Sequence, residues 1–376
     1  MTLDEPRSGV QFDFSSQPRA FSQGTITSAE SILWASLRHL SSRDVANALL
    51  ADVHGIALQR KRVRIVANLK PHIIQAIQFY DAAKHAAPTS SPLLFYYCFL
   101  NLAKALCEIS FPSFHKTLAY YSHGLSWRPS QRWLVNPRRD AVRATGTGVW
   151  HRLLESTTGS SMQLNNPTRL GIRSLFSLCP EVSVEYLRAC GAYGNLIPLI
   201  RPSFMTSDST PGVWIHLEVS RERLRDLRIS RATLKSLLGS SNVAYQQVRS
   251  KDAANVGFES NVILPPGTRA KTLHDTPLFI HVRELRVFTC MDNGRIEYFV
   301  PHYPKPMPRL PQIAVLYSLM FWLGSLVRYD PHSVHALQDS RYWTLIDGFI
   351  SQSTLWLLEQ FVWHFYRTES ALSGAR

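Results

Sequence analysis

Apolar residues recur at helical spacing through the first third of the chain. From Thr27, the positions of Ile32, Leu33, Leu37 and Leu40 predict a helix with Ser28 as its cap. A second short helix follows from Ser42 to Leu50. A longer stretch runs from about Gly55 to His85, interrupted by Pro71, with Val63, Val66, Ile73, Ile74, Ile77 and Phe79 among its apolar positions. Ser91-Pro92 opens the next helix, with a small polar cap and proline in the first turn. Its body, Leu93 to Ile109, is apolar on nearly all faces, and such a helix belongs inside a core.

Between about Ser110 and Thr210 the period weakens, punctuated by Trp127, Pro129, Pro137, Gly146, Gly148, Pro167, Gly171 and Pro180. Near Gly212 it changes. Val213 to Val219 alternates as a strand, Leu224 to Leu238 reads as a helix, and strands are predicted at Val262–Leu264, Leu278–Val282, Leu285–Cys290 and Ile296–Val300. Asp292-Asn293-Gly294 is a hairpin signal between the last two. Five prolines from Pro301 to Pro311 form a stiff connector, and helices return over Leu310–Val327 and about His332–Arg367. The expected fold is α+β and predominantly helical. A helical bundle is built from both ends, residues 26–125 and 308–370, around a mixed α/β insertion at 126–307. Residues 1–25, polar and rich in Gly, Ser and Gln, read as a flexible N-terminal arm.

Composition adds three constraints. A chain of 376 residues, 45% hydrophobic and 11% aromatic, has the apolar content for a packed core, which excludes disorder of the whole. Lys and Arg number 41 against 27 acids, a net charge of +14, so a polyanion is an expected partner. Charge alone does not choose between nucleic acid, anionic membrane and acidic protein. The five cysteines are scattered and form no CxxC, which argues against a disulfide framework or zinc ribbon and for a reducing cytoplasm. Met1 to Phe14 has no basic region followed by an apolar core, so no secretory signal is expected there. The longest apolar run, Ile313 to Val327, is bracketed by Arg309 and Arg328 and falls short of the roughly 20 residues that cross a bilayer. No membrane partner is expected.

Three stretches carry a resemblance. They are Ile32-Leu-Trp-Ala-Ser-Leu-Arg-His-Leu40, Ser91-Pro-Leu-Leu-Phe-Tyr-Tyr-Cys-Phe-Leu-Asn-Leu-Ala-Lys-Ala-Leu106 followed by Tyr121-Ser-His-Gly-Leu125, and Leu316-Tyr-Ser-Leu-Met-Phe-Trp-Leu-Gly-Ser-Leu-Val-Arg-Tyr-Asp-Pro331. Together they resemble the YaaC-like family, bacterial proteins with no secured reaction. The likeness covers the helical ends and implies their fold. The tyrosine-rich helix (Tyr96-Tyr97-x-x-Leu-Asn-Leu-Ala-Lys-Ala105) also looks like helices of HEPN-type bundles. In that superfamily an Arg and, a few residues on, a His form a metal-independent ribonuclease site where two subunits meet. This resemblance implies a homodimer.

Arg328-Tyr-Asp-Pro-His-Ser-Val-His335 fits that chemistry, with six residues between Arg328 and His335, at the upper limit of the spacing of that superfamily; His332, with three between, is a shorter alternative outside that range. Cleavage of RNA through its own 2′-OH needs a base and a cation for the charged phosphate. A histidine and a guanidinium supply both. The structural alternative has Asp330 capping a helix that starts at Pro331, with Arg328 paired to a carboxylate. His123 reads either as a second site residue or as a cover for helix carbonyls beside Gly124. Lys104, inside the core helix, either pairs with Glu108 or contacts a phosphate.

Three basic clusters are candidate nucleic-acid contacts. Arg60, Lys61, Arg62 and Arg64 form the first. Arg221, Arg223, Arg225, Arg228 and Arg231, diluted by Glu222 and Asp226, form the second. The third is Arg128, Arg132, Arg138, Arg139 and Arg143, interleaved with Trp127 and Trp133, a mixture that suits either single-stranded nucleic acid or arginine–tryptophan packing. No Walker, GxGxxG, HExxH, GxSxG or EF-hand pattern occurs, and no histidine spacing makes a metal site, so neither cofactor nor metal is expected. Two functions stand: a nucleic-acid-binding protein with HEPN-like, metal-independent ribonuclease activity in bacterial defence or stress, with RNA or single-stranded nucleic acid as partner, or a non-enzymatic scaffold that docks a protein partner.

Overall fold

The computed structural model describes residues 6–7, 10–13, 29–128, 135–158, 168–206, 212–239, 243–261, 288–292, 295–303 and 307–366. The chain divides into two compact units. One is built from Arg19–Gly194 and Pro304–Leu372, the other chiefly from Met1–Pro18 and Asn195–Tyr303. Strand β1 (Val10–Asp13) belongs to the second. The first opens with helices α1 (Ala29–His39), α2 (Arg43–Asp52), α3 (Gln59–His85) and α4 (Ser91–Ser110), then a one-turn α5 (Leu118–Tyr121). Helix α3 runs unbroken through Pro71, contrary to the interruption expected there. Pro71 and Ala67, whose carbonyl loses its partner, are both exposed, so that carbonyl is open to solvent and the break costs little. Strands β2 (Leu125–Trp127), β3 (Ala141–Ala144) and β4 (Thr168–Gly171) make a small antiparallel sheet, with α6 (Val149–Thr158), α7 (Ile172–Phe176) and α8 (Ser183–Cys190) around it.

The second unit is an antiparallel sheet that includes β5 (Leu196–Thr206) and β6 (Val213–Ser220). Helices α9 (Arg221–Asp226) and α10 (Arg231–Leu238) follow, then β7 (Tyr245–Val248), β8 (Asn255–Ser260), β9 (Phe288–Asp292) and β10 (Arg295–Pro301). The strand order is β7-β8-β6-β5-β10-β9, with β1 also on β5. Ile215, Leu217, Val219, Phe258 and Val300 form its core with Leu234 and Leu238 of α10. Arg228, at φ 52, divides what the sequence reads as one helix over Leu224–Leu238. The arm is not free throughout. Val10–Asp13 pairs with Ser203–Thr206, and Arg7 binds the fully buried Glu259 carboxylate at 2.9 Å. The expected strands Val262–Leu264 and Leu278–Val282, and the Asn293-Gly294 turn, lie outside the described residues.

The chain then returns to the first unit as α11 (Gln312–Tyr329), α12 (Pro331–Gln338), α13 (Trp343–Gly348), a π-helical turn (Phe349–Ser353) and α14 (Thr354–Tyr366). Gln312 to Leu326 are buried without exception, so the longest apolar run is a core helix. Helix α4 is long and apolar enough to cross a bilayer, yet 72% of its apolar window is buried inside the unit. It packs on α3, α11 and α14; Phe99 stacks on Phe361 at 6.1 Å, and Tyr96 meets Phe321 edge-on at 5.4 Å. The two helical ends therefore form one body. The insertion is shorter than expected, because 126–194 belongs with the helices. Trp127 and Trp322 both donate indole N–H to Asp140, at 2.8 and 2.6 Å, and Trp150 donates to Ser318 at 3.0 Å. These anchors join the small sheet to α11.

Candidate functional site

One face of α4 departs from the apolar pattern of the rest. Tyr97, Asn101, Lys104 and Glu108 follow one another at four, three and four residues, so they form a single stripe along the helix. Each finds a different partner. Tyr97 accepts from the Arg328 guanidinium at 3.1 Å, which carries α11's last turn onto α4. Asn101 is held by its amide, which donates to the Tyr97 carbonyl at 2.9 Å. Its oxygen therefore accepts from His72 Nδ1 at 2.9 Å, and His72 Nε2 accepts from the Tyr120 hydroxyl at 3.1 Å. Glu108, fully buried, accepts from the backbone N–H of His115 at 2.6 Å, from its Nδ1 at 2.9 Å and from Asn68 at 3.3 Å.

Lys104 is the exception. The expected pair with Glu108 does not form, because Glu108 is already committed to His115 and Asn68. The ammonium lies over the Tyr120 ring, 4.1 Å from its centroid, and makes no ion pair among the described residues. Burial lowers its pKa from the ordinary lysine value.

His123 is set beside this stripe by backbone geometry. Gly124 and Gly148 have φ of 76° and 130°, and their backbones lie in contact, where a side chain on Gly148 would overlap Gly124. Val149 N–H donates to the Ser122 carbonyl at 2.9 Å and Trp150 N–H to the His123 carbonyl at 3.1 Å. The imidazole Nδ1 shares a 2.6 Å hydrogen bond with the Tyr96 hydroxyl. Burial lowers the His123 pKa, and the positive charges of Lys104 and Arg328 lower it further. His72 is likewise lowered, first by burial. Both shifts favour the neutral ring. When Nδ1–H of His123 donates to the Tyr96 oxygen, Nε2 keeps its lone pair.

The rim is aromatic and exposed. Tyr121, 76% exposed, meets Tyr120 edge-on at 5.1 Å, and Tyr329, 66% exposed, lies under the Arg328 guanidinium at 5.0 Å. Arg328, His123 and Lys104 are thus brought into one electrostatic neighbourhood. His332 and His335 are exposed on α12 and share no hydrogen bond with Arg328. Asp330 caps that helix as the structural alternative requires, accepting from Ser333 N–H at 3.1 Å. Arg328 meets a phenol there, not the carboxylate of that alternative.

The basic clusters separate. Arg60, Lys61 and Arg64 are exposed on the first turns of α3, and Arg62 instead donates to the carbonyls of Ile56 and Ala57 at 2.8 and 2.6 Å. Arg223 donates to the Leu196 carbonyl and Arg221 to that of Ala253. Arg128, Arg138 and Arg139 are exposed, and Arg132 lies outside the described residues with Trp133. Trp127, half-buried, donates its indole N–H to Asp140. No group of three His, Cys, Asp or Glu among the described residues is placed to hold a metal.

The site residues missed in sequence reading are Tyr96, Tyr97, Asn101, His72 and Tyr120. The signal was the polar spacing 97, 101, 104, 108 inside an otherwise apolar helix. Comparison with curated proteins and with solved structures gives no match. The family model described as YaaC-like Protein matches residues 38–364, spanning both helical ends and nearly everything between them, and the chain belongs to the YaaC-like family.

Proposed function

We propose that this chain binds RNA and cleaves it without a metal, in the HEPN-like manner, with His123 as the base. The carrying observation is a half-buried imidazole held by the Tyr96 hydroxyl under the influence of two cations, Lys104 and Arg328, neither of which has a carboxylate partner among the described residues. Such a group attracts a phosphate diester and leaves a lone pair to act on it. His123 Nε2 takes the proton of the 2′-OH. The 2′-oxygen bonds to phosphorus and the bond to the 5′-oxygen breaks. The Lys104 ammonium, made more acidic by burial, returns a proton to the leaving oxygen. Arg328 holds the non-bridging oxygens. The products are a 2′,3′-cyclic phosphate and a 5′-hydroxyl. Tyr121 and Tyr329 support a single-stranded substrate, since unpaired bases stack on exposed rings.

The test is incubation of the purified full-length chain with single-stranded RNA in EDTA, beside His123→Ala, Arg328→Ala and His335→Ala variants. Loss of cleavage by roughly 10²–10⁴-fold on removing His123, with His335→Ala active, supports the reading. Loss at His335 alone would move the base to α12. No cleavage by the parent chain, with RNA still bound, would leave the alternative of a non-enzymatic docking protein. The proposal carries a cytoplasmic setting and a homodimer, which sedimentation at micromolar concentration tests.

A further inference from the structure

The small sheet of the helical unit has two unlike faces. Leu125, Val142, Ala144 and Leu170 point inward and are buried. On the other face the register sets Ser126 opposite Arg143 and Arg143 opposite Arg169. Both arginines are exposed. Like charges directly opposite on neighbouring strands work against a sheet. Their persistence here calls for a compensating charge. Asp140 acts on Arg169 electrostatically, but among the described residues no acid forms an ion pair with either arginine.

From Trp127 to Pro180 the sequence holds eight arginines, no lysine and only two acids, Asp140 and Glu155. Both acids are committed. Asp140 is 2% exposed and accepts from Trp127, Trp322 and the Ala141 N–H. Glu155 accepts from Arg152 at 2.6 Å. Among the described residues Arg138, Arg139, Arg143 and Arg169 make no ion pair. Arg169 donates instead to the Arg139 backbone carbonyl at 2.8 Å.

The platform is rigid, being tied to α11 through Asp140, and it is continuous with the His123 site. Strand β2 begins two residues after His123, and Thr145 N–H donates to the Gly124 carbonyl at 3.1 Å. Ser126, the residue facing Arg143, is three residues from His123, at most about 10 Å along the chain at roughly 3.3 Å per fully extended residue.

We infer that this face is a track for the phosphodiester backbone of single-stranded RNA, leading the strand to His123. The inference rests on the reading of the His123 site given above. Arg143 and Arg169 contact successive phosphates, with Arg138 and Arg139 extending the path. The charge complementarity is with a linear polyanion, because Arg138, Arg139 and Arg143 follow one another from the turn before β3 into that strand, with Arg169 beside Arg143 on β4.

The experiment measures binding of a 2′-O-methylated oligouridine, which cannot be cleaved, to the full-length chain and to an Arg143→Gln/Arg169→Gln double variant over a range of salt. Each lost phosphate contact should lower the log–log salt slope by about 0.7, so the pair should lower it by about 1.4. The variant should also melt no lower than the parent, because the opposed charges are gone. An unchanged slope, or a lower melting temperature with unchanged binding, would make the arginines structural and overturn the track. Binding to phosphatidylserine vesicles without binding to the oligonucleotide would replace RNA with a lipid surface and overturn it as well. The two readings fail separately. RNA bound in an Arg143- and Arg169-dependent way but never cut removes the chemistry at His123 and keeps the track. RNA cut with an unaltered salt slope removes the track and keeps the chemistry.

Discussion

The Trp322 indole donates to Asp140 at 2.6 Å across 182 residues of sequence. The same carboxylate oxygen takes the Trp127 indole, so one buried acid ties the small sheet to α11. Asp140→Ala leaves two indole N–H groups without an acceptor inside the fold. At about 1–3 kcal/mol for each orphaned group, the loss should be on the order of 2–6 kcal/mol. Trp322→Phe should cost less, because Asp140 keeps Trp127 and the Ala141 N–H. Urea midpoints of the two variants check the order.

Charge acting on His123 is measurable without a substrate. Lys104 and Arg328 both depress its pKa, after the larger effect of burial. Lys104→Gln or Arg328→Gln should therefore raise the His123 midpoint in an NMR titration. A midpoint unmoved in both variants would mean that neither cation acts on the ring. In the cleavage reading the neutral ring is the active form. Activity should then rise with pH through a midpoint below the ordinary histidine value of 6.5.

Gly324 of α11 faces Tyr96, and a Cβ there would stand 2.9 Å from the Tyr96 Cβ. Two effects oppose each other in Gly324→Ala. Helix propensity gains about 1 kcal/mol. Overpacking a tight core typically costs about 1–3 kcal/mol. The contact is between two fixed Cβ positions, not the end of a flexible chain, so the cost should win. The variant should be less stable by up to about 2 kcal/mol, and a raised denaturation midpoint would contradict the close approach.

Glu181 is 7% exposed and forms no ion pair among the described residues. Burial raises its pKa from 4.5 to about 7, with the Ser353 hydroxyl of the π-helical turn opposing. In this window the unfolded chain releases the proton first, so the group's contribution to stability falls as pH rises from 4.5 to about 7. Glu181→Gln should remove that slope, worth on the order of 3 kcal/mol. Melting temperatures at about pH 5 and about pH 8 for both proteins test it.

The helical ends were legible because their signals are local. Ser91-Pro92 marks the start of α4, and the apolar run from Ile313 matches α11 within a few residues. The stretch near Trp127 to Phe176 was not, since its core residues find partners far away in sequence. Trp150 reaches Ser318 and Trp127 shares Asp140 with Trp322. No local period encodes such pairs, so the insertion was drawn too long. Val10–Asp13 is a strand only because β5 offers an edge, and four residues beside glycine and serine carry too little alternation to read. At the site, Arg328 and Lys104 stood out as charges next to apolar runs. His123 read equally well as a helix-end residue, because its partner Tyr96 lies on another helix, 27 residues earlier.

Helix α4 is complete at Ser110, whereas the helix that covers its Tyr96 side, α11, begins at Gln312. On the ribosome, at roughly 5–20 residues per second, about 200 residues of synthesis separate them, some 10–40 s. During that interval a helix apolar enough to enter a bilayer has no permanent cover on that side. The nascent chain must hold it with α3 and, once made, α6, or hand it to a chaperone, and the inserted β unit lengthens the wait. Limited proteolysis of stalled chains ending before Gln312 should cut within Ser91–Ser110, and chains extended past Tyr366 should resist.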